Sequence, residues 1–147
     1  MTAANANYKL LLHDKRKAIY ERLIRLEEVI SSTGISGDAA AECAKCAAEA
    51  KYIFGKDVID YFDELVDKLC EFQKADSALT FAMKSLEMYV GGTQEAVDNA
   101  TMIRNQTEMN VFVMIEVDVI ERVIGSSLRL PDELVVTIDR KIQSVVD

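Results

Sequence analysis

The sequence predicts an all-α protein, an antiparallel helical bundle of about five helices with a long third helix. Three observations lead there. The chain holds six Gly and one Pro in 147 residues, too few for the many turns of an all-β domain. Apolar residues make up 50% of the chain and recur at helical spacings almost throughout. Residues 56–90 contain neither Gly nor Pro, and nine of ten positions in a 4-3-4-3 series there are apolar, a heptad pattern. A chain of this length is read as a single helical domain, 1–147, that buries roughly two-thirds of the surface it exposes when unfolded.

Residues 1–7 are small and polar and are expected to fray. The first helix is expected from about Asn7 to Ser32, with Tyr8, Leu12, Ile19, Leu23, Leu26 and Ile30 on one stripe. Gly34 suits the left-handed conformation that ends a helix. Ser36 or Asp38 then caps a second helix to about Phe54, with the small-residue stripe Ala40, Cys43, Ala47, Ala50 and Phe54. The seam of the third helix is Val58, Phe62, Leu65, Leu69, Phe72, Leu79, Met83, Leu86 and Val90. One helix of about 34 residues would be about 50 Å long. The polar position in that series is Asp76. Either it lies in a buried, register-setting pair with Arg104 across the next turn, or Asp76 and Ser77 break the helix and cap a new one.

Gly91 and Gly92 mark a reversal, and Thr93 is the N-cap of a fourth helix running to about Ile124. Its β-branched stretch, residues 111–120, is read as helix because Asp118, Glu121 and Arg122 at i, i+3, i+4 form one polar face. Gly125, Ser126 and Ser127 end it, and Leu128 to Leu130 form an extended link. Pro131 opens a short last helix over 131–146, with Leu134, Val135, Ile138, Ile142 and Val145 on one face.

One His excludes two-His metal sites and di-iron Glu-x-x-His pairs within one subunit. The reading is therefore a non-enzymatic protein with no cofactor. The longest apolar run, residues 111–115, is far short of the roughly 20 residues of a membrane span. No basic flank and apolar stretch opens the chain, so no secretory leader is expected. Three Cys argue against a disulfide framework, so the cytoplasm is the expected compartment. The net charge is −8, of which residues 76–147 carry most. Such a surface repels nucleic acid and anionic lipid and attracts a basic partner.

Candidate binding residues follow. Asp57, Asp60, Asp63, Glu64, Asp67 and Glu71 occupy heptad positions away from the apolar seam, and are read either as a solvated face or as a docking face for a basic protein. Cys43 and Cys46, with Cys70 and His13, supply just enough soft ligands for one zinc ion. The competing reading makes the cysteines small core residues. Lys15, Arg16, Lys17, Arg22 and Arg25 make the first helix basic. Pairing with the acidic helices is expected to absorb that charge.

Residues 15–23, Lys-Arg-Lys-Ala-Ile-Tyr-Glu-Arg-Leu, precede a Gly-containing turn. A helix then ends in Ala-Lys-Tyr-Ile-Phe-Gly-Lys-Asp-Val-Ile-Asp-Tyr-Phe-Asp-Glu-Leu, residues 50–65. Through these features residues 8–72 resemble a group of uncharacterised bacterial all-helical proteins, the Phe-Gly-x-Asp phrase being the most distinctive. Members of that group often carry a membrane span just before the basic helix, whereas only seven residues precede Tyr8 here. The resemblance implies helices and no known activity. The leading expectation is a protein–protein interaction module, with a second copy of the chain as one partner. A third helix that outreaches its neighbour leaves seam to share. The alternatives are a small acidic inhibitor, phage or mobile-element encoded, that occupies a basic nucleic-acid-binding surface of a host complex, and a zinc-stabilised module.

Overall fold

The structure, a computed structural model, describes residues 3–89 and 91–129. Five α-helices pack against one another there: α1 Ala3–Thr33, α2 Gly37–Ala50, α3 Lys56–Glu87, α4 Gln94–Ile115 and α5 Val117–Ile124. A short 3-10 turn, Gly125–Leu128, follows. No strand occurs among the described residues. The all-α bundle and its long third helix are thus as predicted. Val90, Leu130 and the expected helix over 131–146 lie outside the described residues.

Short connections fold α2 on α1, α3 on α2 and α4 on α3. Gly34, at φ +85°, ends α1. The Ser36 hydroxyl then accepts from the Ala39 amide and caps α2, supplying one of the bonds a first turn cannot make internally. Thr93 caps α4 in the same way, through the Ala96 amide. Gly92 allows a close backbone approach, because a Cβ there would collide with the backbone of Ser85 and Leu86.

The core is built from one stripe on each helix. Ile19, Leu23, Leu26 and Ile30 of α1 meet Ala39, Cys43, Cys46, Ala47 and Ala50 of α2 and Val58, Tyr61, Phe62, Leu65, Leu69 and Phe72 of α3. Val111 and Ile115 of α4 with Ile120 and Ile124 of α5 complete it. The small side chains of α2 pack against both neighbours, α1 and α3.

Four details differ from the sequence reading. First, α1 begins at Ala3 rather than Asn7, and Ala6 is buried rather than frayed. Tyr8 is exposed, because α2 reaches back only to the first core residues of α1. The Arg22–Glu49 contact and the Arg16 bond to the Ile53 carbonyl mark that limit. Second, of the two alternatives at Asp76 the break is absent, since α3 runs unbroken through it. The Asp76–Arg104 pair forms at 3.2 Å, but the Asp76 side chain is 54% exposed, so the pair lies at the surface rather than in a buried seam.

Third, the predicted fourth helix is two helices, separated at Glu116, which is extended at ψ 140°. The apolar spacing explains the break. Val111 and Ile115 are four apart, as are Ile120 and Ile124, but Ile115 and Ile120 are five apart. A continuous helix would rotate Ile120 about 140° away from the core, and the break resets the phase. The Met114 carbonyl near the end of α4 accepts a 2.8 Å bond from the Tyr61 hydroxyl. Burial pushes the Tyr61 phenol well above its ordinary range, which keeps it a donor. Fourth, Leu128 belongs to the 3-10 turn instead of an extended link.

Past Phe72 on α3 and before Val111 on α4, no described residue belongs to the core cluster. Among the described residues the two helices there pair with each other, and the less exposed side of each carries Ala75, Leu79, Ala82 and Leu86 on α3 and Val97, Ala100 and Arg104 on α4. This two-helix arm carries α3 about 22 Å beyond its last core residue. Truncating the core end and the arm should therefore have unequal costs. Leu65→Ala should lower the free energy of unfolding by about 3 kcal/mol. Phe81→Ala should change it by less than about 0.5 kcal/mol. Urea unfolding followed by circular dichroism checks both.

Candidate functional site

All six predicted carboxylates, Asp57, Asp60, Asp63, Glu64, Asp67 and Glu71, are exposed on the outward side of α3. Among the described residues the one ion pair they make joins Glu71 to Lys68 at 3.6 Å. They do not converge. Asp63 and Asp67 border the groove between α3 and the alanines of α2. Asp57 lies at the other end, on a groove with Lys56, Arg122, Ser126 and Ser127. No group of three or more His, Cys, Asp or Glu among the described residues is placed to hold a metal ion.

The cysteines divide. Cys43 and Cys46 are buried in the core and Cys70 is exposed, and all three are free thiols. Burial pushes the Cys43 thiol up to about 12 and the Cys46 thiol up to about 11. Both are thus protonated and unreactive near neutrality. The structure does not bring the soft-ligand set of the zinc reading together, and Cys43 and Cys46 act as small core residues.

Of the bases singled out in α1, Arg16 and Arg22 are engaged internally, while Lys15, Lys17 and Arg25 are exposed and make no ion pair among the described residues. Arg22 pairs with Glu42 at 2.8 Å and with Glu49. The Glu42 bond raises the Arg22 guanidinium further above its ordinary value, and the same bond lowers the Glu42 carboxyl. Arg16 Nε donates to the Ile53 carbonyl at 2.6 Å, and its guanidinium lies 5.6 Å from the Phe54 ring centroid. These contacts tie α1 to the α2–α3 connection.

The feature that reaches outward is the arm. At its base the Arg104 guanidinium lies 5.1 Å from the Phe72 ring centroid and bridges Asp76 and Glu108, each at 3.2 Å. One side chain therefore aligns both helices where the core stops. Along the arm large apolar groups face solvent: Phe81 is 73% exposed, Tyr89 93%, Met102 65% and Met109 58%. Tyr89 sits just past α3 at φ +56°, a left-handed backbone uncommon for a side chain other than glycine.

Sequence reasoning missed the outer edge of α4. Met102, Gln106, Met109 and Val113 follow a 4-3-4 spacing, which sets them on one side of a helix. Met102, Met109 and Val113 are all more than half exposed. The signal was legible, but it is masked by the general apolar density after Met109. Arg104, Val111 and Ile115 supply a second stripe that faces inward.

Comparison with family models, curated proteins and solved structures yields no match. No helix among the described residues is long and apolar enough to cross a membrane.

Two outcomes check these assignments. With an Ellman-type thiol reagent at pH 8, Cys70 alone should react in the native protein, and Cys43 and Cys46 only after unfolding. The lowered Glu42 carboxyl contributes stability above the ordinary carboxylate range, and that contribution disappears as pH falls through its folded value. Arg22→Met should therefore flatten the acid limb of a melting-temperature profile.

Proposed function

We propose that the protein is a protein–protein interaction module, and that the α3–α4 arm is its docking element. The observation that carries this reading is the arm itself. Two helices leave the core at Phe72 and Val111, aligned by Arg104, and display Phe81, Met88, Tyr89, Met102 and Met109 to solvent. Large exposed apolar side chains gathered on one element mark interaction surfaces, and aromatic and Met side chains are those enriched where proteins meet. Partners on this reading are proteins, including a second copy of the chain.

A second reading, an acidic inhibitor that covers a basic nucleic-acid-binding surface, draws support from the six exposed carboxylates of α3. The two readings predict opposite sensitivities. Full-length tagged protein should capture a defined partner from source-cell lysate, and Phe81→Ser with Met102→Ser should abolish the capture without changing the helical circular dichroism. Asp60→Lys, Glu64→Lys and Asp67→Lys should leave it intact. Loss in the lysine variant alone would favour the inhibitor. A captured set indifferent to the arm variant would overturn the module reading.

A further inference from the structure

The outer edge of α4 specifies its occupant more closely than the arm as a whole. Three observations combine there. The apolar stripe Met102, Met109 and Val113 lies at i, i+7 and i+11, with Gln106 between, and spans about 16 Å of helix. Acids sit at both ends: Glu95 and Asp98 precede the stripe, and Glu116 and Asp118 follow it, all exposed. None of these four has an ion pair among the described residues. The one base of α4, Arg104, is turned to the arm's seam and shared between Asp76 and Glu108. The edge is thus an apolar ridge bracketed by exposed carboxylates that make no ion pair among the described residues.

Resting on the interaction-module reading, we propose that this edge binds an amphipathic, basic helix of another protein. The spacing sets its form. From Glu95 to Ile115, the last residue of α4, is about 30 Å, and Glu116 follows directly, so the partner segment is about 20 residues long. Its apolar ridge lies in the central turns at heptad spacing, where it packs on Met102, Met109 and Val113. Lys or Arg at each end face Glu95 and Asp98 on one side and Glu116 and Asp118 on the other. Methionine suits this role, because its flexible, polarisable side chain adapts to different apolar ridges. A second copy of the chain fits poorly. Two α4 edges meeting antiparallel would bring Asp98 against the Glu116 end of the partner, a like-charge contact at both ends of the interface.

The test uses the full chain and a designed 20-residue helical peptide with Leu at the central heptad positions and three Lys at each end. A twin peptide carries Glu in place of Lys. The chain's methionines are spread over distinct surfaces, which makes their ε-methyl NMR signals a map: Met102 and Met109 on the α4 edge, Met88 at the arm tip, Met83 on α3, and Met114 beside the core. The Lys peptide should shift Met102 and Met109 and leave Met83 and Met114 in place. It should bind at least about tenfold more tightly than its Glu twin, and Met102→Gln with Met109→Gln should weaken it by about tenfold. Added salt should weaken it further.

Equal binding of the two peptides, or shifts confined to Met88 or Met83, would overturn the proposal. So would concentration-dependent shifts of Met102 and Met109 without peptide, since the edge would then belong to a second copy. If lysate capture still depends on the arm while the Lys peptide leaves Met102 and Met109 unmoved, this inference fails and the module reading stands. If capture ignores the arm, that reading fails as well.

Discussion

The architecture depends on a mismatch of lengths. A helix rises 1.5 Å per residue, so the 32 residues of α3 span about 48 Å and the 14 residues of α2 about 21 Å. A bundle is only as tall as its shortest full member. α2 covers the N-terminal half of α3, and α1 and α5 close the same end. Among the described residues the rest of α3 packs against α4. The arm and its outward apolar groups, and with them the functional reading, follow from that shortfall.

Two side chains let the chain accept the mismatch. Tyr61 reaches from the core to the Met114 carbonyl, so α4 can end and α5 can restart with its isoleucines turned inward. Arg104 spans the arm's base, with Phe72 beneath it and Asp76 and Glu108 beside it. The first is a buried contact whose neutral donor is held by burial. The second lies at the surface, where an ion pair contributes little by itself, and its value here is alignment. The sixteen or so arm residues of each helix hold a narrow seam of Ala, Leu and Val, thin for independent stability.

Much of this was legible before any coordinates. Gly34, Ser36 and Thr93 fall where turn and cap chemistry require them, and the seam from Val58 to Phe72 follows the heptad spacing. The break at Glu116 was equally present in the five-residue step from Ile115 to Ile120, but a dense β-branched run hides a phase change from a reading that scores apolar content. The candidate surface was the less legible part. Carboxylates announce themselves by type, so Asp60 and Glu64 drew attention. Met102 and Met109 are apolar, and only knowledge of which stripe the core takes shows that theirs is left over.

The division between core and arm is tested most directly by native-state hydrogen exchange of the free protein. Amides over residues 58–72 should exchange only through global unfolding. Those over 76–87 and 97–107 should exchange at least about 100-fold faster, through local opening of the arm. Protection that is uniform along α3 would mean that the helix is one cooperative unit with the core, and would contradict the account.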